Sequence, residues 1–294
     1  MLYGALEAGG TKMVCAVGDE NGRILEQISV PTTSPDETMP QVLDYFKGKE
    51  IEALGIACFG PVGVNKNIPD SYGHILATPK IPWRFYDIAG IMKKELSVPV
   101  GFDTDVNGSL LGEATWGAAR GLTDAVYITI GTGVGAGIMS NGRLIHGMLH
   151  PEVGHMKLVP LPTDTYKGYC IYHGTCFEGM VCGPAIEERF GAPGKALADR
   201  DDVWELVSAY IAQALRNLIV IVSPQIIILG GGVMHQTQLF PLIRQKVIEE
   251  LAGYVKSDEF DDIDHYIVPA GLNDDQGIMG CIKLAMDAEH EEVV

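Results

Sequence analysis

Positive charge is what this 294-residue sequence has least of: 21 Lys and Arg stand against 38 Asp and Glu, a formal net charge of -17. So acidic a chain lacks the cationic field that non-specific binding to nucleic acid or to an anionic membrane requires. A nucleotide is not excluded, because backbone N–H groups and a divalent cation neutralise phosphates locally. No leader is expected, since Met1 runs straight into a strand-like stretch at 2–7 with no basic segment or cleavage site. No apolar stretch of membrane-spanning length is expected, the run at 219–222 stopping at Ser223-Pro224. A soluble, cytoplasmic protein follows as the expectation, with six cysteines serving core or metal roles and no disulfides.

What the sequence does have is apolar residues, 47% of the total, enough for a sizeable core in one large or two smaller α/β domains. It also has 36 glycines, and they cluster. Gly9-Gly10-Thr11-Lys12, Gly131-Thr132-Gly133-Val134-Gly135 and Gly230-Gly231-Gly232 each follow an apolar, strand-like run. Glycine permits close approach and unusual φ, so consecutive N–H groups can converge on a phosphate oxygen. No Gly-x4-Gly-Lys-Ser/Thr motif is present, nor a Gly-x-Gly-x-x-Gly opening a helix. One such cluster reads as a tight hairpin; three at strand ends favour phosphate binding.

Two segments look like copies of one unit. EAGGTKMVCAVGDENGRIL at 7–25 and YITIGTGVGAGIMSNGRLI at 127–145 share an apolar strand, a Gly-Thr turn, a second strand, Asn-Gly-Arg and a third short strand. Asn-Gly is a hairpin signal because both central residues are expected at positive φ. Strands are also expected at 52–59, 98–102 and 225–229, and helices over 105–116 and 277–286. A long helix carries the stripe Val203, Val207, Tyr210, Ala214, Leu218 and Ile221. Alternating strands and helices predict an α/β architecture.

The sequence resembles the ROK family (repressors, uncharacterised frames and kinases), and within it the fructokinase branch. The resemblance runs from EAGGTK at 7–12 to LNDDQGIMGCIKLA at 272–285. Between them lie GIACFGPVGV at 55–64, DTDVNGSLLGEATWGAARG at 103–121, PEVGHMKL at 151–158, CIYHGTCFEGMVCGPA at 170–185 and IIILGGGV at 226–233. It implies two duplicated actin/hexokinase-like (ribonuclease H-like) α/β domains around a central cleft. The first would be 1–117 plus 274–294 and the second 118–273. It implies an ATP-dependent hexose kinase, with fructose the first expectation and mannose, glucose or an N-acetylhexosamine the alternatives.

The resemblance also assigns residues. Gly9, Gly10, Thr11, Lys12, Gly131, Thr132 and Gly133 would hold ATP phosphates, and Gly231 and Gly232 would border the adenosine. Asp105 would be the general base, against a plain reading as helix N-cap. Asp103 would be an extra cap or a sugar ligand. Asn107, Glu152, His155 and Glu178 would bind the sugar. Mg2+ would bridge the β- and γ-phosphates, with Glu7 standing where most of the family carries aspartate. Thr104 stands where many glucose-type relatives carry asparagine. Cys170, His173 and Cys176 form a short Cys-x2-His-x2-Cys pattern suited to structural Zn2+. The resemblance makes His155 the candidate for the fourth ligand, and His146 and His150 compete for that place. A homodimer is implied. A ROK-type regulator, which would need a DNA-binding segment ahead of residue 9, and an inactive sugar-binding protein are the readings from other classes.

Overall fold

The computed structural model describes residues 1–292; Val293 and Val294, the end of the expected 274–294 segment, lie outside them. In chain order the elements are β1 (Leu2–Ala8), β2 (Lys12–Asp19), β3 (Ile24–Pro31), α1 (Pro35–Phe46), β4 (Ala53–Cys58), α2 (Ile88–Leu96), β5 (Val100–Thr104) and α3 (Asp105–Trp116). Then come β6 (Ala125–Ile130), β7 (Val134–Ser140), β8 (Arg143–Leu144), α4 (Phe177–Val181), α5 (Gly183–Phe190) and α6 (Asp201–Val222). Last are β9 (Ile226–Gly230), α7 (Leu239–Leu251), α8 (Asp258–Asp261), α9 (Ile263–Tyr266), β10 (Ile267–Pro269) and α10 (Gln276–Glu292).

The chain divides into two compact units. Unit 1 holds residues 1–121, 144–151 and the chain from Gly271 on; unit 2 holds 122–143 and 152–270. Each sheet repeats one plan, with orders β3-β2-β1-β4-β5 and β8-β7-β6-β9-β10. An antiparallel meander opens each sheet, and its first strand then pairs in parallel with the strand that follows the meander. The duplication read from Gly-Thr and Asn-Gly punctuation is therefore a duplication of topology. The central strands β4 and β9 are buried along their whole length, as strands covered on both faces must be, and their sequences are correspondingly unbroken in apolar character.

One hairpin departs from expectation. Asn141 and Gly142 both take positive φ, 52° and 72°. At Asn21-Gly22 only the glycine does, with φ 78°. There the Asp19 carboxylate accepts from the Asn21 and Arg23 N–H groups, and β2 and β3 slip register at Val17/Gly18, so a carboxylate-held turn replaces the tight one. A second expectation is also corrected. α6, 22 residues long, is apolar enough by length and composition to cross a membrane. Its stripe Val203, Val207, Tyr210, Ala214 and Leu218 is buried in the core of unit 2, while Ile221 is exposed and does not belong to it.

In unit 1 the two faces of the sheet are packed differently. Leu6, Leu54, Ile56 and Phe102 meet α1, α2 and the buried Trp83 on one side. The other side is lined by Ala5, Ala53 and Ala57, and small residues let α10 lie close through Ile278, Cys281, Ile282 and Ala285. α10 also packs on α3 at glycines, and a Cβ on Gly280 would overlap the Gly108 carbonyl. The buried Glu113 carboxylate accepts from Ala118 N–H (2.7 Å) and Gly271 N–H (2.8 Å), tying together the places where the chain leaves and re-enters this unit. Gly280→Ala is expected to lower the urea midpoint by an amount equivalent to roughly 2–3 kcal/mol, the cost of overpacking two backbones that cannot part. An unchanged midpoint would show that the helices spread freely.

Candidate active site

In unit 1, Ala8, Cys58 and Thr104 are aligned across the parallel strands β1, β4 and β5. The residues that follow them, Gly9, Phe59 and Asp105, therefore emerge side by side at one sheet edge, where α/β proteins commonly build their sites. The first glycine loop turns β1 into β2. Thr32 braces it, donating through Oγ1 to the Gly9 carbonyl (2.8 Å) and through N–H to the Thr11 carbonyl (3.0 Å). Thr11 and Lys12 are exposed. A lysine absent from every motif, Lys80, lays its stem over this loop, with Cε 2.9 Å from where a Cβ on Gly10 would stand. Its segment is fixed by the buried Trp83, whose Nε1 donates to the Thr33 carbonyl at 2.8 Å, and by Arg84 Nε donating to the Thr78 carbonyl at 2.7 Å.

The cap of α3 separates two readings of Asp105. Thr104, buried and extended, is the N-cap, and its Oγ1 accepts from Asn107 N–H at 3.1 Å. Asp105 occupies the first helical position, partly exposed, with Oδ1 accepting from Val106 N–H at 2.9 Å. Asp103 is not a cap either. Its side chain is 4% exposed and pairs with His146 Nε2 at 2.8 Å, while Oδ1 takes Asn107 Nδ2 at 2.6 Å. His150 lies buried, its Nε2 accepting from Val62 N–H at 3.2 Å. Both histidines are thereby occupied in unit 1.

Glu7 points to the α10 side of the sheet, and a Cβ on Gly277 would collide with its carboxylate. Gly277 thus makes room for a glutamate at that position. Burial, with the Asp105 carboxylate nearby, pushes Glu7 up to about 7, against the pull of Lys12.

In unit 2 the parallel pair β6 and β9 ends at one edge, bringing the other two glycine loops together. Gly131 N–H donates to the Gly133 carbonyl (2.9 Å), closing the turn, and a Cβ on Gly131 would lie 3.8 Å from Gly232 N. Gly231 has φ 89° and abuts the Ile130 backbone, so no side chain is tolerated there. Thr132 and Gly232 are exposed. Glu178, on α4, sends Oε2 to Val134 N–H at 3.0 Å, against the loop. Glu152 is exposed and precedes a short 3-10 turn that carries His155.

His155, Cys170, His173 and Cys176 gather in unit 2, their ligand atoms all within 4.8 Å of one another. His155 Nδ1 stands 3.7 Å from Cys170 Sγ and 3.8 Å from Cys176 Sγ, and His173 Nδ1 is 3.8 Å from Cys170 Sγ. Around a tetrahedral ion with bonds of about 2.0–2.3 Å, donor atoms stand about 3.3–3.8 Å apart, so this donor set fits zinc. Burial, with Cys170 alongside, raises the Cys176 thiol to about 11, so a cation's field is what would keep it a thiolate. All six cysteines are free thiols; Cys15, Cys58, Cys182 and Cys281 are buried in the cores.

The sequence profile of the ROK family matches residues 3–288. The chain belongs to the ROK family. A fructokinase of Pediococcus pentosaceus is 48% identical over 288 residues, spanning 98% of this chain and 99% of that one. Two solved structures share the fold: a ROK hexokinase from Thermus thermophilus (TM-score 0.79, 24% identity, 100% of this chain and 99% of that one) and a ROK glucokinase from Streptomyces griseus in complex with glucose and AMPPNP (TM-score 0.77, 25% identity, 98% and 100%). In this ROK chain, the contacts of Lys80 with Gly10, His146 with Asp103 and Glu113 with Gly271 escape sequence reasoning, because each joins residues far apart in the chain.

A stability prediction follows from Glu7. Its folded value, about 7, exceeds the ordinary 4.5, so between these values the native state binds a proton that the unfolded chain has released. Stability therefore falls as pH rises through that window and is fully penalised above it. Glu7→Gln should leave stability unchanged below pH 4.5 and raise it well above pH 7. The gain would reach at most about 3 kcal/mol, less to the extent that water reaches the carboxylate. Urea unfolding at the two pH extremes measures the difference; a pH-independent effect would remove the buried proton.

Proposed function

We propose that this chain is a fructokinase that transfers the γ-phosphoryl group of ATP to the 6-hydroxyl of D-fructose, with Asp105 as general base. The observation that carries the reading is the placement of Asp105. It stands at the C-terminal edge of the parallel strands, beside the first glycine loop, and Thr104 relieves it of capping. Identity with a protein named fructokinase over nearly the whole chain supports the substrate.

In the proposed reaction Asp105 accepts the proton of the fructose 6-hydroxyl as the new O–P bond forms and the bond to the β-phosphate oxygen breaks, releasing ADP. Backbone N–H groups of Gly9, Gly10, Thr11 and Lys12 in unit 1, and of Gly131, Thr132 and Gly133 in unit 2, are assigned to phosphates, and Gly231 and Gly232 to the adenosine. The Lys80 ammonium adds positive charge at the first loop in an otherwise acidic chain. Mg2+ would supply charge neutralisation on the phosphates when bound, and Glu7 stands at the position where most of the family carries aspartate. Asn107, Glu152, His155 and Glu178 are assigned to sugar hydroxyls. His155 turns Nδ1 to the sulfurs, which leaves Nε2 for the sugar.

Zinc held by His155, Cys170, His173 and Cys176 would brace the loop from which α4 and Glu178 start. A reducing, cytoplasmic setting suits the six free thiols. A homodimer is carried over from the family resemblance.

Coupled ADP release with fructose, mannose, glucose and the N-acetylhexosamines should show fructose with the highest kcat/KM; a higher value for another hexose would replace the substrate. Asp105→Asn should lower kcat by about 10²–10⁴-fold while ATP affinity changes little, and a retained kcat would remove Asp105 as the base. Metal analysis of the purified protein should find about one zinc per chain, its removal lowering the melting temperature. Metal-free protein of unchanged stability would sink the zinc assignment.

A further inference from the structure

Segment 144–151 lies between strands of unit 2 in the sequence but packs with unit 1. It is anchored by the buried His150, which accepts from Val62 N–H. The same segment delivers His146 to the first turn of α3. Its Nε2 is 2.8 Å from Asp103 Oδ2 and 3.3 Å from Asn107 Nδ2. These two contacts cannot both be bonds. Asn107 Nδ2 already donates to Asp103 Oδ1 at 2.6 Å, as Thr104 N–H does at 2.8 Å, so Asn107 faces the histidine with a donor. His146 Nε2–H therefore donates to Asp103, and the contact with Asn107 is imposed by the carboxylate they share.

Two consequences follow. The Asn107 amide is locked in one orientation, which leaves Oδ1, on a fully buried residue, without a hydrogen-bond partner among the described residues. Such a buried acceptor is destabilising until a donor arrives. The His146 ring is 32% exposed, so with Nε2 turned inward Nδ1 is the nitrogen left to face outward. An outward donor on segment 144–151 and an unmatched acceptor on the helix turn that begins at Asp105 suit a ligand rich in hydroxyl groups, which both accept and donate.

We propose that His146 is a hexose-binding residue, held by Asp103 so that Nδ1–H donates to a sugar hydroxyl while the locked Asn107 amide offers Oδ1 as acceptor. The assignment rests on the hexose-kinase reading above and extends it to a residue outside the family motifs quoted for the site. The charged groups facing His146 are Asp103 on β5, whose hydrogen bond raises its pKa, and Lys66, which opposes the rise. Protonation keeps both ring nitrogens as donors, so hexose binding should weaken as pH climbs through that raised value. Below it the binding should be level.

Steady-state kinetics of His146→Ala and His146→Gln test the proposal. With Ala the fructose KM is expected to rise about tenfold or more, while the ATP KM stays within about twofold. Gln, which keeps a donor but no charge, should recover part of the loss and abolish the alkaline rise in KM. A fructose KM within about twofold of wild type in His146→Ala would overturn the role. Should the variants not fold, the His146 Cε1 proton of the wild-type protein is followed by NMR across pH. Saturating fructose should shift its titration, and no shift would overturn the proposal. If wild type prefers another hexose, the fructose assignment falls and the same variants are read on that sugar. If it phosphorylates none, both readings fall.

Discussion

The contact between α10 and α3 is the constraint from which the rest of unit 1 takes its geometry. A Cβ on Gly280 would overlap the Gly108 carbonyl, and one on Gly112 would overlap the Gln276 carbonyl. A Cβ on Gly55 or Gly101 would run into the α10 backbone from the sheet side. Backbones this close leave no slack for either helix to shift, because nothing compressible lies between them. α3 begins at Asp105, and the start of α10 sets the wall against which Glu7 rests. The carboxylates of the site are thus positioned by residues that carry no side chain at all.

Much of this was legible in advance, and for definite reasons. The repeat was visible because turns demand particular residues, and Gly-Thr and Asn-Gly recur in the same order at nearly equal offsets. The span 105–116 was readable because strand, cap and helix fall in immediate succession, and the helix spans Asp105–Trp116. The Cys-x2-His-x2-Cys spacing pointed to the cluster that the fold closes with His155. The expectation that both Asn-Gly turns would have two positive φ values failed at Asn21, where the Asp19 side chain offered the backbone a different partner. A two-residue signal cannot report a carboxylate two positions upstream.

What stayed illegible were pairs joined only by the fold. Asp103 and His146 are separated by 43 residues, and Glu113 and Gly271 by 158. Lys80 reaches Gly10 from a loop whose position depends on burying Trp83. No periodicity or spacing encodes such meetings; they arise when a sheet brings distant strand ends to one edge. The cap reading of Asp105 fell to a local detail instead: the hydroxyl of Thr104, and not the aspartate, meets the Asn107 N–H.

The arrangement also explains why, of three carboxylates close in the fold, Asp105 is the one proposed as base. Gathering Glu7, Asp103 and Asp105 in a chain of net charge -17 is costly unless each is handled separately. Glu7 meets the cost by burial that favours its protonated form, up to about 7. Asp103 meets it by an ion pair with His146 and two further N–H donors, which commits both of its oxygens. Asp105 stands partly exposed at the start of a helix, where the positive end of the macrodipole favours a carboxylate. A base must be ionised and reachable by the hydroxyl it serves. Burial makes Glu7 poor at the first requirement and pairing makes Asp103 poor at the second, so the same packing that gathers the three also distributes their roles.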